Sequence, residues 1–254
     1  MLFYAVHAIL KSSLANNNHK QKRVVRMISD AMFSRTMAAK EFPYRLYKPA
    51  GYDEQSENKW PLVIFLHGAG ERGYDLQGVS RHGPLREVEK GRDFPFLIAA
   101  PQLDGLDYWG GYIESLNAWL DGLLEAYPID PDRVYLTGLS MGGTGTWLWA
   151  MASPGRFAAI MPVCGTGICW CAGNVTRLPI WTFHGSADET IPVEESIHMV
   201  NRVNASGGHA RLTICEGYHH DCWTDTYARQ DIYEWLLSHR RGEKQAKDRE
   251  KSHV

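Results

Sequence analysis

Between Arg133 and Gly145 the chain passes from a β-branched and aromatic stretch, Val134-Tyr135-Leu136-Thr137, through Gly138-Leu139-Ser140-Met141-Gly142. An apolar helical pattern follows from Thr144. That is a strand, a sharp turn and a helix, with a serine at the turn and a glycine two residues to either side. So tight an elbow crowds any β-carbon beside the serine, which is why glycine stands at those positions. The helix that follows aims its N-terminal amides toward the serine, where an oxyanion would develop. In a chain with 24 glycines a G-x-S-x-G string alone carries little weight. The strand before it and the helix after it are what distinguish a nucleophile from an ordinary Gly-Ser turn.

The rest of the chain repeats the same alternation. Tyr44 to Lys48 alternates in polarity and reads as an edge strand closed by Pro49. Pro61 to His67 is a continuous apolar strand, as burial on both faces of a parallel sheet requires, and Phe96 to Ala100 is the next. Ile113 to Tyr127 has helical spacing that ends at Pro128. After the serine, a helix is expected over Thr144 to Met151, strands over Phe157 to Val163 and Leu178 to Phe183, and a helix over Val193 to Val203. A strand over Arg211 to Cys215 and a helix over Thr226 to Leu237 complete the set. Strands and helices in this order predict an α/β fold, a mostly parallel central sheet with helices on both faces.

Residues 42–239 are expected to form that domain. Residues 1–41 read as an N-terminal extension and residues 240–254 as a charged tail that cannot bury a core. Asn16 to Arg23 is polar, basic and without period, so the extension should be mobile at least to residue 26 and dispensable for activity. The apolar patch Leu2 to Leu10 lacks a preceding Lys or Arg and makes a poor signal peptide. A formal net charge of −2 gives no general attraction to nucleic acid or to an anionic membrane. No apolar run reaches the ~20 residues that span a bilayer. Five cysteines (Cys164, Cys169, Cys171, Cys215 and Cys222) are odd in number and irregularly spaced, unlike a disulfide framework. Cys169-Trp170-Cys171 is too tight for a zinc C-x-x-C pair, so no metal is expected and the thiols should be reduced, in a cytoplasmic protein.

A serine hydroxyl needs a base, normally histidine, which a carboxylate orients. On a sheet of this kind the chain order is serine, acid, histidine, each at the carboxyl end of a later strand. Asp188 follows the strand that ends at Phe183, and His219-His220 follow the strand that ends at Cys215. Position alone leaves the two histidines open as base. It also leaves Asp188 a rival reading as a turn or capping residue, and places His184, directly after its strand, as a packing histidine. The oxyanion would take the Met141 amide and that of Ala69, in the loop after the first central strand. That Gly-rich loop is not followed by the G-K-[ST] of a phosphate cradle, and no dinucleotide spacing is present, so no cofactor is expected. Trp109, Trp170 and Trp223 lie in loops on the same side and are candidates to wall a substrate pocket. Glu71 and Arg72 are expected to anchor the loop by an ion pair, with a substrate carboxylate as the other role open to Arg72.

Taken together, Leu66-His67-Gly68-Ala69-Gly70-Glu71-Arg72-Gly73, Ala100-Pro101-Gln102, Thr137 to Gly143, Phe183-His184-Gly185 with Asp188, and His220-Asp221 with Trp223-Thr224 resemble the α/β-hydrolase superfamily. The likeness is to its bacterial predicted-peptidase and carboxylesterase branch, related to polyhydroxybutyrate depolymerases and feruloyl esterases. The resemblance covers about residues 42 to 239. It implies Ser140, Asp188 and His220 as triad, Ala69 and Met141 as oxyanion hole, and no large lid domain. It also selects His220 over His219, because Asp221 and Trp223 complete a histidine-aspartate-x-tryptophan pattern on His220. His219 stands where similar sequences usually carry glycine. The activity implied is hydrolysis of short-chain or aryl acyl esters, with a small-molecule ester as partner. The alternatives are a serine peptidase and a non-catalytic binding module on the same fold.

Overall fold

A computed structural model describes residues 39–55 and 57–242. The expectations for residues 1–26 and for the end of the tail lie outside the described residues.

Seven strands form one sheet: β1 (Tyr44–Tyr47), β2 (Trp60–Leu66), β3 (Leu97–Pro101), β4 (Ile129–Leu139), β5 (Ala159–Val163), β6 (Ile180–Gly185) and β7 (Ala210–Cys215). Their spatial order is β1-β3-β2-β4-β5-β6-β7, with β1 antiparallel to β3 and every other pair parallel. The helices are α1 (Gly83–Glu89), α2 (Ile113–Ala126), α3 (Met141–Ala152), α4 (Val193–Ala205), α5 (Trp223–Ala228) and α6 (Asp231–Leu237).

Alternation along each strand feeds two cores. Leu62, Ile64 and Leu66 of β2 join Leu116 and Leu120 of α2, Trp147 and Trp149 of α3, and Met199 of α4. Val63 and Phe65 face the other way, with Leu85 of α1, Tyr227 of α5, and Ile232 and Tyr233 of α6. Both faces are therefore covered, which is the doubly wound arrangement of the α/β-hydrolase fold. No helix among the described residues is long and apolar enough to cross a membrane.

Three differences from the sequence reading have local causes. The helix after Ser140 begins at Met141, three residues before the apolar pattern, because its glycines let the backbone pack directly on the sheet. A β-carbon on Gly142 would lie 1.9 Å from the Leu66 carbonyl oxygen. The last helix is two helices, α5 and α6, broken where Arg229 turns extended (ψ 146) and pairs with Asp231 at 2.6 Å. The apolar period survives the break because both halves pack on the same core. Helix α1 has no counterpart in the expectations: seven residues opened by Gly83-Pro84 are too short to show a period.

At the ends of the domain, the Lys40 amide donates to Ser115 Oγ (2.9 Å) and Arg241 pairs with Asp132 (2.8 Å). The described packing therefore reaches slightly beyond residues 42–239.

Candidate active site

The carboxyl ends of β2, β4, β5, β6 and β7 meet at one edge of the sheet, and Ser140 sits at its middle. Its backbone is left-handed (φ 53°, ψ −117°), a conformation that non-glycine residues avoid. The elbow is pinned by the Ser140 amide, which donates to the Val163 carbonyl on β5 (3.0 Å), and by the contact of Gly142 with β2.

Ser140 Oγ lies 2.8 Å from His220 Nε2, and His220 Nδ1 lies 2.7 Å from an Asp188 carboxylate oxygen. The carboxylate is buried and the imidazole only about one-fifth exposed. An ionised carboxylate can only accept, so the His220 proton resides on Nδ1 and leaves Nε2 free to accept from the serine hydroxyl. Burial alone would push the Asp188 carboxyl up. Hydrogen bonds from His220 and from the Ile191 and Thr190 amides together outweigh that and hold it below its ordinary value. Asp188 thus remains a carboxylate in the pH range where an imidazole titrates. The other oxygen of Asp188 takes both amides (2.9 and 3.0 Å), so the turn-residue role and the contact with His220 coexist in one side chain.

His219 is exposed and makes neither contact. His184 is fully buried, 2.7 Å from Ser196 Oγ and 3.2 Å from Asp188, so it backs the carboxylate from behind. Gly185 allows the 218–219 backbone to cross β6 closely: a β-carbon there would sit 2.3 Å from the His219 carbonyl oxygen.

Ala69 opens a short 3-10 turn and Met141 opens α3. The first amides of such turns have no partner within their own helix, and those of α3 lie at its positive end. Arg72 steadies the Ala69 loop by donating to the Ala69 carbonyl (3.0 Å) and the Asp107 carbonyl (3.3 Å). Among the described residues it makes no ion pair with Glu71, so the expected anchor exists through carbonyls instead. Glu71 is held by Gln102, which donates to its carbonyl at 2.9 Å.

The three tryptophans separate. Trp109 has no exposed surface and donates to the His67 carbonyl (3.0 Å), so it supports the start of the Ala69 loop from beneath and does not wall a pocket. It opens a 3-10 turn (Trp109–Tyr112) where a loop was expected, and its side chain turns into the core. Trp170 is 85% exposed, like Leu106 and Tyr108 in the loop after β3. Trp223 packs edge-on against His220 (ring centres 5.2 Å apart, 90°) and donates to His82 Nδ1 at 3.2 Å. His82 in turn lies 3.7 Å from the Glu71 carboxylate, so it links the His220 loop to the Ala69 loop. His82 was missed with α1; its only signal was the Gly-Pro that follows it. Also missed was Cys164, whose thiol, with Asp188 and His220, completes a group of potential metal ligands within 4.8 Å of one another.

His67 carries a pH prediction. Its Nδ1 lies 2.6 Å from the Gly68 carbonyl and its Nε2 accepts from the Leu103 amide at 3.0 Å, a pattern only the neutral ring satisfies. Burial pushes it down to about 4, against an ordinary 6.5. The unfolded chain therefore binds this proton more readily than the native one. The resulting stabilisation is complete above about pH 6.5 and is lost as pH falls toward 4, by on the order of 3 kcal/mol. Melting temperatures between pH 7 and pH 4 should fall more steeply for the wild type than for His67→Gln. Equal slopes would refute the assignment.

Comparison with known proteins gives a consistent set of neighbours. A family model described as phospholipase/carboxylesterase matches residues 112–239. A probable feruloyl esterase C of Aspergillus terreus is 27% identical over 170 residues, covering 65% of this chain and 62% of the relative. A poly(3-hydroxyalkanoate) depolymerase C of Paucimonas lemoignei is 29% identical over 133 residues, covering 46% of this chain and 30% of the relative. A solved structure of a thermostable esterase superposes with a TM-score of 0.69 at 34% identity, over 79% of this chain and 60% of that one. The chain thus spans about three-fifths of the length of the feruloyl esterase and of the thermostable esterase, and less than a third of the depolymerase.

Proposed function

The chain belongs to the phospholipase/carboxylesterase family of α/β-hydrolases, and from that premise we propose that it is a serine carboxylesterase acting on short-chain or aryl acyl esters. The observation that carries the reading is the hydrogen-bonded series Ser140–His220–Asp188, at the carboxyl edge of a parallel sheet and beside the first amide of α3.

In this reading Ser140 Oγ attacks the ester carbonyl as its proton passes to His220 Nε2. Asp188 stabilises the imidazolium that forms and does not itself take the proton. The Ala69 and Met141 amides receive the oxyanion. Collapse of the tetrahedral intermediate expels the alcohol, which takes the proton from His220, and leaves an acyl group on Ser140. Water, deprotonated by His220, then attacks the acyl-enzyme, and the acid is released as His220 returns the proton to Ser140 Oγ. No metal or cofactor enters these steps. The free thiols of Cys164, Cys169, Cys171, Cys215 and Cys222 support a reducing, cytoplasmic setting.

A fluorophosphonate that labels Ser140 and no other serine would test the nucleophile, and its failure to label would remove the reading. Matched ester and amide substrates separate an esterase from a peptidase; faster amide turnover would favour the latter. Between β5 and β6, residues 164–179 hold one 3-10 turn (Cys169–Val175) and no lid domain. Turnover should therefore show no jump when a long-chain ester passes its solubility limit, and should favour short acyl chains. A jump at that limit would refute the open-cleft reading.

A further inference from the structure

Among the described residues only two non-glycine residues have left-handed φ: Ser140 (53°) and Cys164 (41°). Each directly follows the last residue of its strand, and the two strands, β4 and β5, are neighbours. Strain of this kind persists where the surroundings enforce it, and it clusters at functional sites. The Cys164 amide is fixed by the Phe183 carbonyl on β6 (2.8 Å), and its thiol is fully buried. Ester hydrolysis by Ser140 makes no use of that thiol.

Sγ of Cys164, a carboxylate oxygen of Asp188 and a ring nitrogen of His220 all lie within 4.8 Å of one another. His220 Nδ1 and Asp188 are already 2.7 Å apart. Thiolate, imidazole and carboxylate are the donor set of a tetrahedral thiophilic cation, whose ligand atoms stand roughly 3–4 Å apart, so about 1 Å of contraction closes the group. The His220 ring, about one-fifth exposed, opens a route from the cleft.

We propose that Cys164, Asp188 and His220 form a capture site for a thiophilic divalent cation such as Zn²⁺ or Cd²⁺, with solvent completing its coordination, and that its occupation silences Ser140. The Cys164 thiol exchanges its S–H bond for a sulfur–metal bond and releases one proton to solvent. At His220 the cation takes the Nδ1 lone pair, so the ring proton resides on Nε2. That nitrogen then donates to Ser140 Oγ and has no lone pair left to accept its proton. Capture of the cation stands on the ligand geometry alone, whereas silencing rests on the proposed esterase reading.

The test uses the full chain carrying Cys169→Ser and Cys171→Ser, which removes the partly exposed thiol pair. Titration with CdCl₂ is followed by cadmium–thiolate absorption and by turnover of an activated acetyl ester, each protein being referred to its own rate in EDTA. One equivalent of cadmium should raise the absorption and abolish turnover in parallel, with EDTA reversing both. Cys164→Gly, which suits the left-handed backbone, and Cys164→Ser should each raise the cadmium needed by about 10-fold or more. Absence of the band, or a band and inhibition unchanged in both variants, would overturn the site. A band without inhibition would overturn the silencing. If the EDTA-treated parent has no esterase activity, the functional reading fails while the absorption titration still judges the site.

Discussion

Ser140→Ala is expected to lose about 10⁶-fold in turnover of an activated acetyl ester, as removal of a triad nucleophile typically does. The loss follows from what Ala removes. Ser140 Oγ is the oxygen held 2.8 Å from His220 Nε2, and without it no acyl-enzyme forms. Folding should be untouched, because the elbow is held by the Ser140 amide on Val163 and by Gly142 against β2, both independent of the hydroxyl. The measurement is steady-state hydrolysis beside a thermal melt. Retention of more than a few per cent of the rate by a variant of native stability would refute Ser140 as nucleophile.

The second large effect separates two adjacent histidines. His220→Ala should cost about 10⁴-fold or more, because it removes the acceptor of the serine proton and leaves Asp188 without its partner. His219→Gly should cost little, since that side chain is exposed and touches neither Ser140 nor Asp188. The backbone of residue 219 does matter, because it crosses close over Gly185, but glycine preserves that crossing. A dead His219→Gly together with an active His220→Ala would reverse the assignment.

The strands were legible because a strand buried on both faces must be apolar along its whole length, as Leu62 to Leu66 are. The order serine, acid, histidine was legible because parallel strands deliver successive carboxyl ends to the same edge. Side-chain direction was not. Trp109 opens a single 3-10 turn where a loop was expected and turns inward to hold the His67 carbonyl, and so short an element shows no periodicity to reveal this. Helix α1 was hidden by its length, and with it the bridge from Trp223 through His82 to Glu71. Cys164 belongs to no motif. Its significance arises from a backbone strain and from neighbours on β6 and in the histidine loop that lie far away in sequence.

The loops after β3 and β5 leave Leu106, Tyr108 and Trp170 exposed, while the strands that feed them are buried in two cores. For a lineage under selection, that division separates heritable change on the exposed loop surface from heritable change in foldability. Substitutions at such exposed loop positions usually alter stability by only about 0.5 kcal/mol either way. A population can thus drift through many loop sequences at nearly constant fitness for folding, and explore that surface by single steps. A comparable search through the strands would cross unfolded ancestors.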